Sequence, residues 1–309
     1  MIRIGTRGSK LALWQAEHVA GALRARQIEV EVIVLRTTGD RVQDKPLPSV
    51  GIKGMFTAEI EQALRDGRID LAVHSLKDLP TELASEFALA ATPHRKNPLD
   101  VLLAPADVSL ASLPHRARVG TSSLRRQGQL LYHRPDLQII PLRGNIDTRL
   151  RKLAAGEMDA IILAAAGVER LGLTEMLREE LPPSLCCPCP GQGALALEVR
   201  SGDPATRDAV AFLDHAATRF CVDVERRALA HLGGGCSVPI GVYCEPHSGG
   251  NHRVYAAVCS PDGRSLVRIE HSDHRDAAHL ANGIVLKLNA AGADAILRLY
   301  ATEAPANPS

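Results

Sequence analysis

Short apolar runs alternating with helical periodicity fill the first two thirds of the chain, and this alternation restricts the fold more than any other feature. "IRIGT" (2–6), "VEVIVLRT" (30–37), "DLAVHSL" (70–76), "RVGTS" (118–122), "LQIIPL" (137–142) and "AIILAAA" (160–166) read as largely buried strands. Between them, Ser9 caps a helix whose Ala16, Val19, Ala20 and Leu23 fall at i, i+3, i+4 and i+7. Phe56, Ile60, Ala63 and Leu64 make a second apolar stripe, closed by Gly67. Such βαβ repetition predicts an α/β fold with parallel or mixed sheets covered on both faces. Ligands in such folds sit beyond the carboxyl ends of the strands.

The texture changes after about residue 215. A helix through Phe220, Val224 and Ala228 ends at glycines. Then "IGVYCE", "RVYAAVCS", the turn "PDG" and "SLVRIEH" read as an antiparallel meander followed by a helix, a separate α+β domain. With 309 residues, two or three domains are expected. "TPHRKNPLD" (92–100) interrupts the periodicity as a boundary, and the return link lies around 187–200.

Composition removes several function classes. Lys plus Arg, 36, nearly cancels Asp plus Glu, 35, and aromatic residues make only 3 % of the chain. Neither a global field nor stacking platforms favour nucleic acid, so no nucleic-acid partner is expected. No apolar run reaches the roughly 18 residues that span a bilayer, so no membrane partner is expected either. The opening "MIRIGTRGSK" lacks a signal-peptide pattern, and seven cysteines do not make a paired extracellular framework. Reduced thiols and a cytoplasmic location are the expectation. "CCPCP" (186–190) offers three thiolates but no second ligand pair, and the twelve histidines show no ligand spacing. No metal site is expected.

Arginines recur where strands hand over to helices: Arg7 in "GTRGS", Arg125 and Arg126 in "GTSSLRR", Arg143 and Arg149 in "LRGNIDTRL". Guanidinium forks, helix amino termini and the hydroxyls of Ser9, Thr121, Ser122 and Ser123 there suit a polyanion. Residue type does not separate phosphate from carboxylate. In "DLAVHSLKDLP", Lys77 and Asp78 emerge at the carboxyl end of a strand. Asp78 reads either as an acid/base group or as a turn residue before Leu79-Pro80. "VGIKGMF" carries Lys53 between glycines, without phosphate-loop spacing. It reads as a loop over an anion or as a plain surface loop. In "HLGGGCSVPIG" (231–241), successive glycines imply a close approach beside Cys236. That thiol, with no base identifiable in the sequence, reads as a nucleophile or as a covalent attachment point.

The ordered set "ALWQAEHV", "GIKGMF", "DLAVHSLKDLP", "VGTSSLRRQ", "LRGNIDTRL", "DAIILAAAGVERLGL", "GQGALALE" and "GGGCSVPIG" resembles the porphobilinogen deaminase, or hydroxymethylbilane synthase, family over nearly the whole chain. The resemblance implies a transferase that condenses four porphobilinogen molecules, releasing ammonia, into the linear tetrapyrrole hydroxymethylbilane. It implies a dipyrromethane cofactor held by Cys236 through a thioether. By the same resemblance, Arg7, Ser9, Thr121, Ser122, Ser123, Arg125, Arg126, Arg143, Gly144, Asn145, Arg149, Arg170 and Gln192 bind cofactor and substrate, with Lys77 assisting. The resemblance also implies that Asp78 faces the pyrrole nitrogens and steadies the cationic methylene-pyrrolenine, and that Lys53 and Phe56 belong to a covering loop.

The resemblance further implies two βαβ domains like periplasmic solute-binding lobes, with a smaller α+β domain after them. The expected division is 1–95 plus 192–214, 96–191 and 215–309, in a monomer. The cysteines ahead of "GQGA" depart from the family pattern and are expected to add oxidation sensitivity. Two other classes compete: a noncatalytic two-lobed solute-binding protein for a carboxylated or phosphorylated ligand, and a cysteine-dependent hydrolase needing a histidine beside Cys236.

Overall fold

A computed structural model describes residues 1–37, 57–233 and 238–303. From the amino end, β1 (Ile2–Arg7) leads to α1 (Lys10–Arg24), β2 (Val30–Leu35), α2 (Ala58–Arg65), β3 (Leu71–Ser75), β4 (Phe87–Ala91) and β5 (Asp100–Leu103). Next come β6 (Arg118–Gly120), α3 (Leu124–His133), β7 (Gln138–Ile140), α4 (Ile146–Ala154), β8 (Ala160–Ala164), α5 (Ala165–Arg170) and β9 (Leu177–Leu181). The chain continues through β10 (Leu195–Arg200), α6 (Pro204–Val210), α7 (Ala216–His231), β11 (Ile240–Pro246), β12 (His252–Cys259), β13 (Leu266–Asp273), α8 (Ala277–Ala290) and α9 (Ala293–Glu303).

Local chemistry sets the helix ends. Ser9, Ser123, Asp203 and Asp276 each accept a first-turn backbone N–H, so a donor orphaned by the helix start is satisfied at all four places. Gly67 follows α2 with φ +66°, a left-handed conformation that closes the turn toward β3. The second stripe of the sequence reading is α2, with Ile60, Ala63 and Leu64 buried; Phe56 lies outside the described residues.

Two sheets share one topology. In the first, ordered β2-β1-β3-β10-β4, β1 runs parallel to β2 and β3, and β10 runs antiparallel to β3 and β4. In the second, ordered β7-β6-β8-β5-β9, β6 is parallel to β7 and β8, and β5 is antiparallel to β8 and β9. The sequence shows no repeat, yet the strand plan is repeated. Each fourth strand comes from across the chain: β10 follows all the strands of the second sheet, and β5 precedes the rest of them.

Both sheets are covered on both faces, as the near-continuous apolar runs demand. On β3, Leu71 and Val73 join a core with α1, whereas Ala72 joins one with α2. On β5 and β8, Leu102 and Ile162 pack toward α3, while Val101, Leu103, Ile161 and Leu163 form the opposite core. The third sheet, β11-β12-β13, is antiparallel, and one of its faces is buried by α7 and α8.

The chain divides into two compact units, Met1–Lys96 with Gly193–Arg219, and Asn97–Gln192 with Phe220–Ser309. The first sheet lies in the first unit, and the second and third sheets lie in the second. Within that second unit α3 comes close to β12: a Cβ on Gly128 would stand 2.4 Å from the Ser260 carbonyl oxygen. The fold is α/β, with two βαβ sheets and a smaller antiparallel sheet backed by helices.

Candidate active site

In the first unit, the carboxyl end of β3 is fixed from several sides. The Gln15 amide on α1 donates to the Ser75 hydroxyl at 2.9 Å. His74 Nε2 lies 3.0 Å from Glu198 Oε2 of β10, a buried pair that ties the antiparallel strand to β3. No histidine stands out in the sequence, and this one is found only through pairing with a strand more than 100 residues on.

A single 3-10 turn, Leu76–Asp78, follows β3. Leu76 N donates to Ala194 O at 3.0 Å and Leu79 N to Leu76 O at 3.1 Å, with both leucines buried. The apolar pins leave Lys77 half-buried and Asp78 exposed. Asp is favoured in turns because its side chain bonds nearby backbone. The Asp78 carboxylate makes no hydrogen bond among the described residues, so that reason for an aspartate does not operate here. Arg7, half-buried at the end of β1, and Ser9, whose Oγ accepts from Ala12 N at 3.3 Å, occupy the neighbouring strand-to-helix turn.

In the second unit, the corresponding turn after β6 uses its hydroxyls on itself. Thr121 Oγ1 accepts from Ser123 N at 3.2 Å. Ser122 Oγ accepts from Leu142 N at 2.9 Å and donates to Leu142 O, clasping the end of β7. Ser123 Oγ accepts from Arg126 N and caps α3. These oxygens serve as acceptors for backbone first, which the sequence reading had foreseen only for Ser9.

Arg125 and Arg126 are buried rather than displayed. Arg125 Nη1 donates to Asp100 Oδ2 and to Cys187 O, both at 2.7 Å; Arg126 donates to Asp100 Oδ1 through Nη2 at 2.7 Å and to Ile162 O through Nη1. Burial alone would raise the Asp100 carboxyl, but the two guanidiniums hold it well below the usual carboxylate range. Sequence reasoning missed Asp100, since its partners lie 25 and 26 residues further on.

After β7, Gly144 has φ +102° and would place a Cβ 2.9 Å from the Thr148 side chain, so only glycine suits the turn. Arg149 Nε donates to Gly144 O at 2.8 Å, and Arg143 and Asn145 flank that glycine at the start of α4. Arg170, the last residue of α5, is buried, which lowers its guanidinium to about 10 against the opposing effect of Glu169. Gln192 is buried, its Nε2 donating to Pro98 O and to Asp100 Oδ1.

Thr121, Ser122, Ser123, Arg143, Gly144 and Asn145 thus lie just beyond β6 and β7, where this topology binds ligands, and Arg170 ends the short helix that follows β8. Buried guanidiniums there outnumber the carboxylate they share, a donor set suited to a ligand bearing carboxylates.

Lys53, Phe56 and Cys236 lie outside the described residues. On either side of that cysteine, Glu225 of α7 is fully buried and takes hydrogen bonds from Gly191 N at 2.7 Å and Cys244 N at 2.8 Å. It joins the "GQG" segment to β11, another link the sequence reading missed.

Of the three thiols in "CCPCP", Cys189 is half-buried, and the oxidation sensitivity expected of the cluster does not extend to its other two. Cys186 and Cys187 are fully buried, and burial pushes both thiols up, that of Cys187 to about 12. The thiolate is the reactive form, and it is suppressed here.

Residues 2–208 match the family described as "Porphobilinogen deaminase, dipyromethane cofactor binding domain", and residues 219–290 match "Porphobilinogen deaminase, C-terminal domain". The chain is 51 % identical over 268 residues to the porphobilinogen deaminase of Nitratidesulfovibrio vulgaris strain Hildenborough, covering 86 % of this chain and 85 % of that one. It is 47 % identical over 308 residues to that of Bordetella parapertussis, covering 99 % and 98 %. Among solved structures, a periplasmic substrate-binding protein of an ABC transporter from Coxiella burnetii is similar at 16 % identity and a TM-score of 0.43, over 71 % of this chain and 93 % of that one.

Proposed function

From the premise that this chain belongs to the porphobilinogen deaminase family, we propose how its residues divide the work of the reaction. The enzyme is a hydroxymethylbilane synthase, joining four porphobilinogen molecules into a linear tetrapyrrole with loss of four ammonia molecules. Its dipyrromethane cofactor, when bound, supplies a covalent primer for the growing chain. Each of its rings carries acidic side chains, and the donor set after β6, β7 and β8, with buried guanidiniums in excess of carboxylate, fits such a group. Cys236 is the attachment residue.

The observation that carries the assignment of roles is the carboxylate of Asp78. It is exposed, anchored by buried Leu76 and Leu79, and without a hydrogen bond among the described residues. A fixed anion of this kind lowers the cost of positive charge that develops as ammonia departs, and it accepts and returns the pyrrole-nitrogen proton. Lys77 assists beside it. Arg7, Ser9, Ser123, Arg125, Arg126, Arg143, Arg149 and Arg170 hold carboxylates of cofactor and substrate, supported by Thr121, Ser122, Gly144, Asn145 and Gln192. Lys53 and Phe56 belong to a covering loop.

The enzyme works as a cytoplasmic monomer of three domains, 1–95 plus 192–214, 96–191 and 215–309, and needs no nucleic-acid or membrane partner. No single helix among the described residues is long and apolar enough to cross a membrane. The match to the family's carboxyl-terminal domain speaks against a noncatalytic solute-binding protein.

Intact mass of the purified protein, with peptide mapping around Cys236, tests this reading. The expected result is the added mass of two linked pyrroles on that cysteine, with further one-pyrrole steps on adding porphobilinogen. An unmodified thiol that acquires no mass from porphobilinogen would overturn it.

A further inference from the structure

Asp100 opens β5, opposite the last residue of β8, Ala164, and is fully buried. Oδ1 accepts from Arg126 Nε at 3.1 Å, Arg126 Nη2 at 2.7 Å and Gln192 Nε2 at 2.9 Å. Oδ2 accepts from Arg125 Nη1 at 2.7 Å and the Cys186 thiol at 3.3 Å. One carboxylate therefore gathers donors from the first turn of α3 and from the contiguous "CCPCP" and "GQG" segments, two stretches far apart in sequence.

The network is saturated at Asp100 but not at the cations. Two guanidiniums share one carboxylate, which leaves one positive charge in excess in a desolvated place, and such a charge favours a further anion. Every nitrogen of the Arg126 guanidinium is engaged. Arg125 is different: its Nε and Nη2 donate no hydrogen bond among the described residues, and they are not among the sealed polar atoms without partners.

We propose that Asp100 is a positioning residue for carboxylate recognition: it locks Arg125 and Arg126 in place before the ligand arrives, with donors of Arg125 left for a ligand carboxylate. This rests on the reading that the α3 arginines hold carboxylates of cofactor and substrate. An arginine held this way loses little rotamer freedom on binding, which is the benefit of preorganisation. The chemistry step itself does not pass through Asp100, so its effect falls on binding.

The test compares the holoenzyme with Asp100→Asn, Arg126→Lys and the double variant. The readouts are KM and kcat for porphobilinogen and, separately, the fraction of Cys236 carrying the two-pyrrole mass. Asp100→Asn is expected to raise KM about tenfold with kcat changed less than about threefold, and to lower cofactor occupancy. Arg126→Lys is expected to act in the same direction. In the double variant the two effects are expected to overlap rather than multiply, because one acts through the other. A folded Asp100→Asn enzyme with ordinary KM and full occupancy, or effects that multiply, overturns the proposal while leaving the arginine reading intact. An Arg126→Lys enzyme unchanged in both readouts overturns that reading and the proposal together. If Asp100→Asn does not accumulate as folded protein, Asp100→Glu keeps the charge and displaces it by one methylene; a raised KM then supports the proposal and an ordinary KM overturns it.

Discussion

The backbone of Gly241 lies against that of Cys187: a Cβ on Gly241 would stand 2.5 Å from the Cys187 carbonyl oxygen and 2.9 Å from the Cys187 Cβ. The start of β11 is thereby pressed onto the segment leading to "GQG". Neither backbone can yield cheaply, so Gly241→Ala is expected to cost about 1–3 kcal/mol, as overpacking does. Gly283→Ala, inside α8, meets only His271 Nε2 at 3.9 Å and is expected to be neutral or to stabilise by up to about 1 kcal/mol. Thermal unfolding of the two variants beside the parent reads both; equal melting temperatures for Gly241→Ala and the parent would contradict the contact.

The buried thiols make a chemical prediction. Burial raises Cys186 and Cys187, and it raises Cys259 to about 12, whereas Cys189 is only half-buried. Iodoacetamide at pH 8 is expected to label Cys189 in the native protein and to reach the other three only after denaturation. Under the proposed attachment, Cys236 is expected to resist the reagent in both states. Peptide mapping reads all five positions at once, and rapid native labelling of Cys186 or Cys187 would refute their enclosure.

Acid stability follows from Asp100. Its folded value lies below the ordinary carboxylate range because the guanidinium attraction outweighs the upward effect of burial. The stability it contributes is therefore complete above about pH 4 and is lost as pH falls toward the folded value. Between pH 5 and 8 it adds no slope. Below pH 4 it adds about 1.4 kcal/mol per pH unit, the effect of one proton. Urea unfolding at pH 3 and 4 is expected to show this slope in the parent and a shallower one in Asp100→Asn; parallel slopes would refute it.

Asp78→Asn separates chemistry from stability. The side chain is exposed and makes no hydrogen bond among the described residues, so its melting temperature is expected to match the parent within about a degree. Its kcat is expected to fall roughly 10²- to 10³-fold, the scale of losing one preorganised electrostatic group. Normal turnover would remove Asp78 from the mechanism.

What the sequence revealed was local. Ser9 was legible as a cap because the cap and its helix lie within a few residues, and β1, β2, β3, β6, β7 and β8 were legible as apolar runs. The antiparallel strands β4, β5, β9 and β10 were not read as strands. "DVLL" and "LALEVR" are strands by virtue of remote partners: β5 pairs with β8, and β10 with β3 and β4. The same distance hid Asp100 behind the arginines and Glu198 behind His74. Arginine after a strand marks the right end of the sheet, but whether a fork faces a ligand or a buried carboxylate depends on a residue elsewhere in the chain.

The crossed strand plan has a consequence during synthesis. Among the described residues β4 pairs only with β10, which begins at Leu195, whereas β9 completes the second sheet by Leu181. At ~5–20 residues per second, the ribosome holds β4 without its partner for roughly 5–20 s after making it. During that interval the edges of β3 and β4 are open to mispairing with other nascent chains. Of the two mixed sheets, the one begun first is the last to close.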